Sequence, residues 1–255
     1  MGVVLLGGDN WFADIRYRFA LEVGGALCVL IALIIMARLV ERRGWTTLGF
    51  RLSAAPVGLI GGAAFGALLF MAPIGILLVL GMARFDLNLS GFTAQAVGIG
   101  LALTAFNVIQ QELLVRSYMF QELWAKFGAR VATAVTTAFF VALHAAPIFS
   151  GSLGLLAGLN ILLASLMLSL AYVRTRALWL SIGIHFGWNG LQGPALNINV
   201  TGAELALGDW RVFALDGPPL LTGGALGVEG GLAGLAGPLL GLMLVAAFVR
   251  QRAAL

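Results

Sequence analysis

Three short stretches of an otherwise apolar chain carry side chains that can move protons. They read Gln110-Gln111-Glu112-Leu113-Leu114-Val115-Arg116, Phe140 through His144, and His185-Phe186-Gly187-Trp188-Asn189. Glu112 with Arg116, Phe140 with His144, and His185 with Asn189 are each four residues apart, so on helices each pair shares one face. His144 and His185 are the two histidines of the chain. Peptide hydrolysis needs a nucleophilic water, a proton path to the leaving amine, and donors for the tetrahedral oxyanion. Glu112 and His144 can supply the first two, while the amide of Asn189, with His185 one turn away, can supply the third. Arg116 is the counter-ion that lets Glu112 stay charged away from water. A competing arrangement is a zinc site in which Glu112, His144 and His185 are the ligands and water takes the open position. No HExxH helix supports it.

The elements that must carry these residues are membrane helices. Of 255 residues, 60% are hydrophobic and 10% charged, which points away from a water-soluble domain. At about 20 residues per crossing, the apolar runs give about seven spans. They are Phe19 to Val40, Ala55 to Met82, Val97 to Trp124, Val131 to Phe149, Leu155 to Val173, Ala177 to Leu191, and Gly231 to Val249. The first run lies behind Asp14, Arg16 and Arg18, is longer than a signal-peptide core and lacks a clear cleavage site, so it reads as a retained span. The expected fold is an all-α membrane bundle with an intramembrane polar cavity, one domain over 1–255 and a motif-bearing core at about 97–191.

The formal charge of +4 would suit nucleic acid in a soluble protein, but here the cations sit between apolar runs and read as topology markers. Arg38, Arg42, Arg43 and Arg51 follow the first run, Lys126 and Arg130 the third, Arg174 and Arg176 the fifth, and Arg250 and Arg252 the last. The other connections hold Arg84 with Asp86, nothing charged after Phe149, and Arg211 among Glu204, Asp209, Asp216 and Glu229. The expected topology has the amino end outside and the carboxyl end cytoplasmic. Abundant Ala, Gly and Arg suggest a bacterial inner membrane. No nucleic-acid partner is expected, and nothing in the sequence fixes an oligomeric state.

Ionisable side chains at membrane depth are expensive and usually pair or serve a function. Counted from the nearest loop cation at 1.5 Å per residue, Glu112 and His144 each lie about 21 Å deep, His185 about 14 Å and Asn189 about 20 Å. That common depth supports one site shared by three helices. The remaining features read as structural. Gly62 with Gly66, and Gly237 with Gly241, have the spacing of close helix contacts. Asn197 to Gly230 reads as an outer loop, which puts Glu229 on the outside, and Glu22 and Arg211 as structural charges. Cys28, the one cysteine, permits no disulfide.

On these residues the chain resembles the CAAX endopeptidase and bacteriocin-processing (CPBP, or ABI) family of intramembrane proteases, which carries EExxxR, FxxxH and HxxxN or HxxxD motifs on successive helices. The second motif is intact at Phe140 and His144, the third at His185 and Asn189, and the first reads Gln111 through Arg116 with an amide where the first glutamate is expected. The resemblance spans Gln111 to Asn189. It implies that Glu112 and His144 activate water and that His185 and Asn189 bind the oxyanion, with Gln111, Arg116 and Phe140 in support. The implied activity is endoproteolysis of a membrane-associated peptide or protein without a cofactor. The alternative is an inactive relative that binds such a peptide or serves in bacteriocin immunity.

Overall fold

The computed structural model describes residues 15–42, 44–149, 151–202 and 208–249. Asp14, Arg43, Glu204, Arg250 and Arg252 of the topology reading lie outside the described residues.

The chain is an integral-membrane, helical protein. Helix α1 (Ile15–Ile34) continues through a π turn to Val40, and α2 (Gly62–Val79) follows a π turn at Val57–Gly61. Strand β1 (Ala83–Asn88) leads to α3 (Ala94–Glu112), a π turn at Leu113–Tyr118 and α4 (Met119–Leu143). Then come α5 (Ala145–Ile148), α6 (Gly154–Thr175) and α7 (Leu178–Gly190). Strand β2 (Arg211–Leu215), α8 (Pro219–Thr222) and α9 (Ala236–Phe248) complete it.

Ala94 to Leu143 is one helical run of 50 residues. At 1.5 Å per residue such a rod would be about 75 Å long, against a hydrocarbon core of about 30 Å, so it has to break. It does so at Ser117 (φ −85°, ψ −107°) and at Gly128 (φ 83°, ψ 166°), the second a conformation that glycine takes at little cost. Among the described residues four helical runs are long and apolar enough to cross a membrane, where about seven spans were expected from the sequence. The sixth and seventh expected runs fall on α7 and α9, 13 residues each.

Small residues decide how α2 meets α7. A Cβ on Gly62 would press on the backbone of Leu180, Gly183 and Ile184, and one on Gly66 would collide with the Ile184 carbonyl. From the other helix, Gly183 and Gly187 lie equally close to backbone of Gly58, Leu59, Gly62 and Ala63. In lipid, where apolar side chains gain little by leaving the acyl chains, such backbone approach is a main source of helix affinity. Gly237 and Gly241 likewise admit Trp188 and Met167 against α9. Gly66→Val is expected to force α2 and α7 apart and lower stability by about 1–3 kcal/mol or more, read as a drop in the thermal midpoint of the purified protein.

The cation-bearing ends gather at one end of the bundle. Arg38 lies over Trp45, Arg176 lies 3.5 Å over the Trp124 ring, and Arg174 donates to the Ala246 and Val249 carbonyls. Trp179 Nε1 donates to the Arg51 carbonyl. Away from that cluster, β1 and β2 form a two-stranded antiparallel sheet that the helical reading did not anticipate. There Asp86 accepts from Arg211 at 2.7 Å, and Arg84 lies 3.6 Å from both Asp86 and Asp216.

Candidate active site

The site is built from the end of α3, the end of α4 and the middle of α7, tied together by one guanidinium. Arg116, fully buried in the π turn after α3, donates from Nη1 to Glu112 Oε1 at 3.0 Å. Its Nη2 donates to Ser165 Oγ of α6 at 2.8 Å, and that hydroxyl in turn donates to Thr137 Oγ1 of α4. The guanidinium carbon stands 4.3 Å over the ring of Phe140. One cation therefore holds α3, α4 and α6 through a charge-assisted bond, a hydroxyl relay and a ring face.

Phe140 passes the contact on to both histidines. Its ring lies 4.7 Å from that of His144 and 6.0 Å, edge-on, from that of His185. His144, where α4 ends, donates Nδ1–H to the Phe140 carbonyl at 2.8 Å. His185 donates Nδ1–H to Glu112 Oε1 at 3.0 Å. With both Nδ1 atoms committed, each neutral ring presents Nε2 as a bare lone pair. Asn189, one turn beyond His185, is half-buried and has no protein partner for its amide among the described residues.

His144, His185 and Asn189 line a cavity of about 50 Å³ with Phe140, Asn160 and Glu229. Beside it a groove of about 600 Å³ runs between α1 and α3, shared at His144, Asn189 and Thr201 and lined further by Glu22, Asn107 and Gln111. Glu112 is fully buried and stands behind His185, away from the wall of either space. Its Oε1 is shared by Arg116 and His185, while Oε2 is buried without a hydrogen-bond partner among the described residues. Gln111 faces the groove and donates from Nε2 to Asn107 Oδ1 at 2.8 Å. Among the described residues no group of three His, Cys, Asp or Glu side chains is placed to hold a metal ion, so the alternative zinc set of Glu112, His144 and His185 is not assembled.

Two polar groups that sequence reasoning did not place in the site belong to its wall. Asn160 of α6 is 2% exposed, with its Nδ2 unpartnered in the cavity lining. Glu229, expected on the outer face, is 7% exposed and accepts from Trp188 Nε1 at 2.8 Å and Thr201 Oγ1 at 2.6 Å. The glycine-rich stretch before α9, expected to be loop, folds back against α6 through tight turns. Gly227 (φ 75°) sits where a Cβ would strike the Asn199 carbonyl, and this turn delivers Glu229 inward.

The arrangement offers a proton acceptor, a carboxylate-backed imidazole and an unpaired amide donor around a space for water, the parts that acyl transfer requires. Neither the curated proteins nor the solved structures offer a match to the chain. Residues 93–191, the helices that carry Gln111 through Asn189, match the family model of the Rce1-like type II CAAX prenyl endopeptidases.

Proposed function

We propose that the protein is an intramembrane endopeptidase that hydrolyses a peptide bond of a membrane-associated protein or peptide. The observation that carries this reading is the pair of histidines around one small cavity, each with Nδ1 engaged, and Asn189 beside them with a free amide. In this reading His144 Nε2 takes a proton from water as the oxygen adds to the scissile carbonyl. The same proton passes to the amide nitrogen as the C–N bond breaks. Asn189 donates to the oxyanion, with His185 beside it as a donor in its protonated form. Glu112 acts through His185: its carboxylate fixes the ring and supports the imidazolium, the part a buried aspartate plays for histidine in a hydrolytic triad. The groove along α1 and α3 is the route by which the peptide reaches the cavity. The gathered cationic end faces the cytoplasm, with the carboxyl end on that side.

One observation favours a second reading, a peptide-binding protein without turnover: position 111 holds an amide, and an amide cannot serve as a base. Turnover separates the two. Purified protein incubated with a membrane-peptide library in H₂¹⁸O is expected to yield fragments with the label in the new carboxyl terminus. Asn189→Ala is expected to cut that rate by about 10²–10³-fold, as for loss of one oxyanion donor. Tight peptide retention with no labelled product would establish the binder instead.

A further inference from the structure

The cavity contains a carboxylate that the proposed mechanism leaves unused. Glu229 is buried, and its carboxylate accepts from Trp188 Nε1 and from the hydroxyl and backbone N–H of Thr201, which still leaves a lone pair for a further donor. It shares the cavity wall with His144, His185 and Asn189. A space of about 50 Å³ holds only a few waters, and each ordered water there needs about 2–4 polar partners. Asn160 and Asn189 bring amide donors, and the histidines bring one ring nitrogen each. Glu229 is the one carboxyl group in that wall, because Glu112 stands behind His185 and position 111 is an amide. Burial raises the pKa of Glu229, against which the bonds from Thr201 and Trp188 favour the charged form.

We propose that Glu229 is a catalytic carboxylate of this site, holding the hydrolytic water by one hydrogen while His144 takes the other. The inference rests on the proposed peptidase reading and deepens it. The water O–H bond to His144 breaks, its oxygen bonds to the scissile carbonyl carbon, and the proton carried by His144 goes to the departing nitrogen. Glu229 keeps the second hydrogen bond throughout and balances the positive charge on His144. Charge, rather than the mere presence of an acceptor, is what the variant Glu229→Gln removes, since its amide oxygen can still accept from Trp188.

Glu22 is the rival carboxylate. It lines the adjoining groove, where Asn107 donates to both its oxygens and Gln110 donates to one, on the α1 side of Gln111. The test compares kcat and KM of the wild type, Glu229→Gln and Glu22→Gln on one labelled peptide, with melting curves for each. Glu229→Gln is expected to lose about 10²-fold or more in kcat with KM and melting midpoint little changed, whereas Glu22→Gln, at the wall of the peptide's route, is expected to raise KM without reproducing that loss in kcat. Wild-type kcat in Glu229→Gln, or loss in Glu22→Gln alone, overturns the role of Glu229 while leaving the peptidase reading intact. A wild type that hydrolyses no peptide overturns both. If Glu229→Gln does not fold, Glu229→Asp decides: a carboxylate drawn back by one methylene should lower kcat about tenfold or more at constant KM, and an unchanged kcat overturns the proposal.

Discussion

Replacing His144 with alanine is expected to lower peptide turnover by about 10²–10⁴-fold, the largest loss for any one cavity residue. The reason lies in how the ring is held. Its Nδ1–H bond to the Phe140 carbonyl, 2.8 Å long, fixes both orientation and tautomer. The Phe140 ring, 4.7 Å away, packs against the imidazole where the cavity opens to the groove. The remaining nitrogen is then a preset proton acceptor at the junction of the small cavity and the groove. His144→Gln makes the sharper control, because its amide can still hydrogen-bond water but cannot carry a proton between steps. Both variants should elute and melt like the wild type, because the His144 side chain makes one hydrogen bond, to its own helix. Fragment formation measured at saturating peptide checks the prediction. A glutamine variant with a tenth or more of wild-type rate would remove His144 from the proton path.

Much of this site was legible before any coordinates, and for a definite reason. Spacing of four residues fixes a shared helix face regardless of tertiary context, so Glu112–Arg116 and Phe140–His144 had to pair locally. Depth counting from loop cations brought three helices to one level. Neither argument says which way a side chain turns within that level. Glu112 turns to His185 rather than to the cavity, at the start of a π turn for which no residue pattern is a marker. The spacing argument was applied to Gly62 and Gly66 and missed Gly183 and Gly187, which have the same spacing on the partner face of the α2–α7 contact.

Glu229 was hidden by its neighbours. Gly-Val-Glu-Gly-Gly carries neither helix period nor strand alternation, and a lone acid among glycines reads as solvated turn. The signal available was the apolar company it keeps. Leu220, Leu221, Leu226 and Val228 are more than an exposed loop should carry, and Val228 is fully buried. A glycine-rich segment with that much hydrophobicity packs inward, since glycine lets backbone pass close to other backbone. The β1–β2 sheet escaped for a different reason: strands of six and five residues rest on pairing between segments far apart in sequence, which no local window contains.

The buried ion pair sets the second large expectation. Glu112 and Arg116 are both fully buried, and removing one partner leaves the other charge without compensation. Arg116→Met is therefore expected to destabilise the protein by about 3–5 kcal/mol, and Glu112→Gln by a comparable amount. The glutamine variant isolates charge: both bonds to Glu112 land on Oε1, and an amide oxygen there can accept from Arg116 and His185 alike. Arg116 also bonds Ser165 and covers Phe140, so its removal loosens α6 and α4 together. The double variant Glu112→Gln/Arg116→Met should recover most of the lost stability, because two neutral side chains leave no charge stranded in lipid. Turnover should stay low in the double variant, since no carboxylate then backs the imidazolium of His185. Thermal midpoints and kcat measured on the wild type, both singles and the double separate the two effects. Stability losses that simply add in the double variant would show that the charges do not compensate one another, and would remove the pair as the anchor of the site.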